Sequence, residues 1–334
     1  MAILVYPPTI DWDWMMQRPQ QLMKYFARAG HTVYYCNRTL EDAPAEEIEP
    51  GLFIVKHHER WLEREWKPAK ARLQAPVIVW CSLPQLASSL RQYDPDLIVY
   101  DCVDEFAEWA PYEREMAACA DAVVCTSERL RERLDGRYPG KRLALVRNAY
   151  DLDMGLHLPN EDDAAMTPAD LPAGPTIGYI GAWAPWVNPN LLLYTARLQR
   201  QAQIVVIGPE FGRPFAPYRS GIRFLGMKPH RQLSSYLRRL SVGLIPFRLT
   251  AVTLATNPVK AYEYLAAGIP VVSTSLPECR MMMPYVDTAA DAADFHRLTL
   301  ERLQDAGDRE ARKRFALCNT WAHRVQEIEA FLFG

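Results

Sequence analysis

The sequence predicts two α/β domains in tandem, each built on a parallel sheet. Three observations carry this. Short apolar runs alternate with helical patterns along most of the chain, the signature of strand–helix–strand units. The runs are continuous rather than alternating apolar with polar, as expected for strands covered on both faces. The alternation stops after Tyr150 and starts again at Thr176. A length of 334 residues fits, since a domain typically takes ~100–200 residues.

Strands are expected at Ala2–Tyr6, Thr32–Cys36, Phe53–Val55, Val77–Cys81, Leu97–Asp101, Ala122–Thr126 and Ala144–Val146. Helical patterns fall between them, including Gln17–Arg28, closed by Gly30, and Ser127–Leu134. Asp151–Pro175 is rich in Pro, Asp, Ala and Gly, has no period, and reads as a linker or a long surface excursion. The second half gives strands at Thr176–Ile180, Gln203–Ile207, Ile222–Phe224, Val242–Ile245 and Pro270–Ser273. Its helices are expected near Pro189–Arg200, Gln232–Arg239 and Pro258–Ala267, and Asp308–Phe333 reads as one long amphipathic helical stretch. Two such units create a cleft between the carboxyl ends of two sheets, where open α/β sheets bind ligands.

Composition removes several classes. Lys+Arg is 38 against 40 for Asp+Glu, a net charge of -2, which argues against a globally basic nucleic-acid binder. No apolar run approaches the ~18 residues of a membrane span, and no signal peptide is visible, so a cytoplasmic protein is expected. The seven cysteines form no C-x-x-C pair; Cys36, Cys81, Cys102 and Cys125 end apolar runs and read as reduced, buried residues. A dinucleotide-binding dehydrogenase needs a glycine-rich turn after the first strand, and Pro7-Pro8-Thr9-Ile10-Asp11 contains no glycine.

The most informative stretch is Asn257–Thr274. Asn257 or Thr256 suits an N-cap, Pro258 the first helical position, Gly268 the C′ residue and Pro270 the stop before a buried strand. The amino end of this helix presents free N–H groups and a positive dipole end, suited to a phosphate or diphosphate. Lys260, in the first turn, opposes the dipole unless an anion lies beside it. Glu263, three residues on, lies on the same side and can accept two hydroxyl hydrogen bonds, as from a ribose. A capped surface helix carrying a plain Lys260–Glu263 ion pair fits the same pattern.

This stretch resembles the nucleotide-sugar signature of GT-B glycosyltransferases of the group 1 type, most similarly those of bacterial teichuronic acid and exopolysaccharide synthesis. Ile177–Trp183, Val206–Pro209 and Arg223–Gly226 are similar to further segments of that family, as are Asp13–Leu22, Gly30–Val33 and Tyr100–Phe106. The resemblance implies a GT-B fold: two Rossmann-like domains facing each other across a cleft, 1–170 for the acceptor and 171–310 for the donor, with 311–334 a helix packing back on the N-terminal domain. It implies that Glu263 holds the ribose hydroxyls, and that Lys260 with the helix start at Thr256 and Asn257 holds the diphosphate. Gly181 would let backbone approach the phosphate or sugar, Met227 and Lys228 would frame the base, and Arg248 would be a further diphosphate contact. Many relatives carry a second Glu eight residues before the ribose Glu; here that position is Ala255, which leaves the stereochemical outcome open.

Transfer requires stabilisation of the leaving diphosphate, which fixed dipoles and a Lys can supply without a metal, and an inverting enzyme also needs a base near the acceptor hydroxyl. Asp101, Asp104 and Glu105 follow a buried strand; Asp104 is the favoured base or acceptor anchor, and a helix cap is its alternative role. Asp11 and Asp13 are its rivals, and Arg18 is a candidate for an acceptor phosphate. His31 reads as a surface residue. Asp11-Trp12-Asp13 and Asp151-Leu152-Asp153 match the metal-binding D-x-D only superficially, so no obligatory metal or cofactor is expected.

The resulting expectation is a hexosyltransferase that moves a sugar from a nucleotide diphosphate donor, UDP-linked by preference, to a cell-surface polysaccharide or lipid-linked acceptor. Trp61–Lys67 and the Arg129–Arg142 region would supply a peripheral contact at the inner face of the membrane; ordinary helices with core tryptophans are the alternative. A sugar-nucleotide epimerase of similar architecture and a non-catalytic sugar-nucleotide binding subunit are the competing readings.

Overall fold

The computed structural model describes residues 1–159, 167–218 and 220–334. They divide into two compact units. Unit 1 is Met1–Asn148 with Trp321–Gly334, and unit 2 is Ala149–Thr320.

Unit 1 holds β1 (Ile3–Tyr6), β2 (Thr32–Cys36), β3 (Glu46–Glu49), β4 (Leu52–Val55), β5 (Val77–Cys81), β6 (Leu97–Cys102), β7 (Ala122–Cys125) and β8 (Arg142–Leu145). Its sheet runs β3-β4-β2-β1-β5-β6-β7-β8, and only the β3–β4 pairing is antiparallel. β1 and β5 are buried along their whole length, as their unbroken apolar sequences require. The connecting helices are α1 (Arg18–Arg28), α2 (His58–Trp61), α3 (Lys67–Leu73), α4 (Ala110–Cys119) and α5 (Glu128–Arg137), the last capped by the Ser127 hydroxyl.

Unit 2 holds β9 (Thr176–Ile180), β10 (Gln203–Ile207), β11 (Ile222–Phe224), β12 (Val242–Ile245), β13 (Val271–Thr274) and β14 (Val286–Ala289), in the order β11-β10-β9-β12-β13-β14, all parallel. Its helices are α6 (Pro189–Leu198), α7 (His230–Leu237), α8 (Ala251–Leu254), α9 (Val259–Ala266), α10 (Pro277–Arg280), α11 (Ala292–Gln304) and α12 (Arg309–Leu317); α13 (Trp321–Phe333) belongs to unit 1. The strand order reverses between β9 and β12, which makes the carboxyl end of β9 the switch point where such sheets bind ligands.

Several expectations are corrected. The chain enters unit 2 at Ala149, not near 170, because the expected linker is part of unit 2. Tyr150 and Leu156 lie in its core, Leu152, Met154 and Leu171 pack against that core, and Asp170 accepts hydrogen bonds from Lys228 at 2.6 Å and Tyr236 at 2.7 Å. Residues 160–166 of that stretch lie outside the described residues. The single terminal helix is two helices separated at Cys318–Thr320. α12 stays on unit 2, where the Arg312 guanidinium donates to Gly268 O at 2.9 and 3.1 Å. Only α13 returns to unit 1, against α1. His31 is buried, not at the surface: its Nδ1 accepts from Ala2 N at 3.1 Å, so Nε2 carries the proton that meets Glu329 at 2.9 Å. Trp61 and Trp66 are buried beside Tyr34, with ring centroids 5.1 and 6.0 Å from it, so they offer no docking face. In the second basic region Arg133 and Arg137 both pair with Glu113. No helix of the described residues is long and apolar enough to cross a membrane.

Candidate functional site

The carboxyl edge of the unit 2 sheet gathers three glycine turns. Gly181, Gly208 and Gly226 follow β9, β10 and β11, and all have positive φ, at 145°, 152° and 72°. They are linked in a row: Gly181 N donates to Ile207 O at 2.8 Å, and Gly208 N to Gly226 O at 2.9 Å. A Cβ on Gly208 would stand 2.1 Å from Gly181 O, so the backbone approach admits only glycine there.

α9 delivers its first turn to this row. A Cβ on Gly181 would stand 3.0 Å from Lys260 Cε and 3.2 Å from Lys260 Nζ, so the ammonium lies directly beside the turn. Nζ also sits 4.7 Å from the Phe247 ring centroid and 5.3 Å from that of Tyr179. Two aromatic faces therefore support the partly buried cation. The Tyr179 hydroxyl donates to Ala182 O at 2.8 Å, which fixes one wall. Glu263 is half-buried one turn further on. Burial raises its pKa to about 7; Lys260 pulls it down and Asp151 pushes it up. A carboxyl so poised gains from hydroxyl donors, which favour its charged form.

The cap differs from expectation. The residue at the N-cap of α9 is Pro258, and no side chain caps the helix. Asn257 is buried, and its amide donates to Glu278 at 2.8 Å. The Thr256 hydroxyl donates to Val252 O at 2.9 Å. Asn257 and Thr256 can thus serve an anion through backbone, while their side chains are engaged elsewhere. Arg248 is exposed on the loop after β12, its backbone N on Trp186 O at 2.8 Å and its Nε 3.4 Å from Val187 O. Met227 is exposed just after Gly226. Lys228 is committed to Asp170 and lies 5.5 Å from the Tyr236 ring centroid, because unit 2 uses it to anchor the segment before β9.

In unit 1, Asp101 lies inside β6, as the expected strand Leu97–Asp101 has it, fully buried and paired with Arg18 at 2.9 Å. Trp80 Nε1 donates to the same carboxylate at 3.1 Å, and Arg18 Nη1 reaches Asn148 Oδ1 at 3.2 Å. The notion of Arg18 as a docking point for an acceptor phosphate meets a guanidinium already neutralised. Asp11 accepts from Arg38 N, Thr39 N and the Thr39 hydroxyl at 2.7, 2.8 and 2.5 Å and acts as a loop staple. Burial opposes its charge, but these three donors outweigh it and hold its pKa below the usual value. Asp13 is exposed on the same loop. Asp104 is half-buried on the loop after β6; the next helical turn, Ala107–Trp109, has Phe106 at its N-cap, so Asp104 is not that cap. Among the described residues no group of three His, Cys, Asp or Glu has the arrangement of a metal site.

Residues 174–304 match the family model described as glycosyl transferases group 1. This segment is a group 1 glycosyltransferase domain. The chain is 24% identical over 294 residues to TuaH of Bacillus subtilis, a protein named for teichuronic acid biosynthesis, covering 79% of this chain and 73% of TuaH. Among solved structures it is similar to the sucrose-phosphate synthase of Thermosynechococcus elongatus, with a TM-score of 0.74 at 16% identity, over 99% of this chain and 98% of that one. It is also similar to Anabaena HepE, solved in complex with UDP and glucose, with a TM-score of 0.67 at 12% identity over 99% of both chains. The fold is therefore GT-B, and the segment that matches the group 1 model lies within unit 2 and includes Gly181 and Lys260.

Sequence reading missed Tyr179, Phe247 and Gly208. The first two are scattered along the chain and meet only through the sheet; the third had a signal, a glycine directly after an apolar strand.

Proposed function

We propose that this glycosyltransferase takes a UDP-linked sugar as donor and passes the sugar to a saccharide of a cell-surface polysaccharide or to its lipid-linked precursor. The observation that carries the reading is the seating of the Lys260 ammonium against the Gly181 turn at the amino end of α9. The diphosphate lies on Lys260 and the uncapped backbone N–H groups of α9, with Arg248 as a second contact. As the anomeric bond breaks, charge gathers on the departing diphosphate, and a cation and helix dipole already in place stabilise it without reorganising. Glu263 accepts the ribose hydroxyls. Gly181 and Gly208, lacking side chains, leave the phosphates room to meet backbone. Asp104 receives the proton of the acceptor hydroxyl, with Asp13 as its rival. The role of a divalent ion falls to Lys260 and the helix end. UDP as the nucleotide is supported by HepE, and a polymer acceptor by the name of TuaH.

The test pairs calorimetry with turnover. Glu263→Ala weakens UDP binding by roughly tenfold, the loss of about 1.4 kcal/mol expected for hydrogen bonds to a charged group. Asp104→Asn abolishes transfer and keeps donor affinity. A chelator leaves turnover unchanged. Full UDP affinity in Glu263→Ala would remove the ribose role, and turnover in Asp104→Asn would remove the base. Ala255 is buried and supplies no carboxylate, so product anomer configuration, read by NMR, fixes the stereochemical class.

A further inference from the structure

At the switch point the β9–β12 ladder is short: its register covers only Val242 with Ile177 and Gly243 with Gly178. β9 continues beyond it to Ile180. Backbone groups alternate sides along a strand, and Gly181 N is turned toward β10, where Ile207 O holds it. Ile180 N therefore points to the β12 side, where no strand partner is left. The Tyr264 hydroxyl takes that place, accepting from Ile180 N at 2.8 Å in a fully buried contact. Tyr264 reaches it from α9, across Gly243. A Cβ on Gly243 would stand 2.7 Å from the Tyr264 ring, so the ring passes only because that strand position is glycine.

We infer that Tyr264 is a positioning residue for donor binding: its hydroxyl stitches α9, and with it Lys260 and Glu263, to the last strand residue before the Gly181 turn. The stitch fixes how far the cation stands from the turn that receives the diphosphate. Apolar packing and the Lys260–Tyr179 contact also link helix and turn, but they tolerate small slides that a phosphate site does not. The inference rests on the donor reading above.

Tyr264→Phe keeps the ring against Gly243 and deletes only the hydroxyl. In the full chain, calorimetry with UDP well below the unfolding temperature is expected to show a roughly tenfold rise in Kd for Tyr264→Phe. Ile204→Val, a core change of comparable stability cost near the amino end of β10 and away from the glycine turns, is expected to hold wild-type affinity. Hydrogen exchange supplies a reading that needs no ligand: the Ile180 amide is protected in the wild type and exchanges far faster in Tyr264→Phe. Wild-type UDP affinity in Tyr264→Phe, or equal losses in both variants, overturns the positioning role. Failure of the wild type to bind UDP, with the Ile180 amide still protected, overturns the donor reading, and the inference with it.

Discussion

Units 1 and 2 share a parallel sheet with one reversal of strand order, yet their two switch points are finished in opposite ways. In unit 1, where β1 meets β5, the Tyr6 hydroxyl bonds Ser82 at 2.6 Å, Thr9 donates to Tyr6 at 2.8 Å, and the Arg18–Asp101 pair is buried beneath the following turn. Polar groups there bond mainly to one another, with Arg18 Nη2 left over, and no glycine lies between Pro7 and Gln17. In unit 2 the same place has a glycine turn, an uncapped helix end and a lysine between aromatic rings. The same topology can be closed by its own polar side chains or finished with a glycine turn beside a lysine, and the choice is made by which residues follow the first strand.

The contrast can be broken from the closed side first. Asp101→Ala leaves the Arg18 guanidinium buried without its carboxylate, at a cost of about 3–5 kcal/mol. Urea unfolding should show that loss, while UDP binding by the remaining folded protein stays unchanged. A stability loss below about 1 kcal/mol would mean that water reaches the pair and solvates the arginine.

On the open side, Gly181→Ala brings a methyl within 3.2 Å of Lys260 Nζ at a φ of 145°. The strain is on the order of 1–3 kcal/mol, and UDP affinity should fall by more than stability accounts for. Equal affinity would show that the phosphates do not approach this turn.

The smallest effect sharpens the comparison through pH. The Glu263 pKa is raised to about 7, so the folded state holds its proton more tightly than the unfolded chain does. That contribution to stability is full below the unfolded carboxyl pKa and is lost as pH rises through about 7. Melting temperature in Glu263→Gln should therefore decline less between about pH 5 and about pH 8 than in the wild type. Ribose hydroxyls favour the ionised carboxylate, so UDP-glucose binding near neutral pH should release a proton in the wild type and none in the variant. Identical profiles would place the titration on another group.

Much of this was legible in the sequence. The strands covered on both faces announced themselves as apolar runs, and β2, β5, β9, β10, β11 and β12 stand where expected. β3, with three glutamates in four residues, and β14, carrying Asp287, lack such a run because each lies at a sheet edge. The stretch before β9 reads as linker because Pro and Asp dominate its composition, while a few apolar side chains and Asp170 decide its packing. The first turn of α9 with Lys260 and Glu263 was legible from spacing and helix punctuation, and Gly181 entered only through the family resemblance. The pairing of Asn257 with Glu278 was not, because it depends on how α10 is laid beside α9, and short-range pattern carries no information about that.

The two crossings between the units lie side by side. Tyr150 N donates to Asn319 O at 2.9 Å, and Tyr150 bridges Thr320 in parallel. The second unit is thus one uninterrupted stretch whose two ends are fastened together. The first is made from two stretches, and joining Asn148 to Trp321 by a short linker would close it into a single chain.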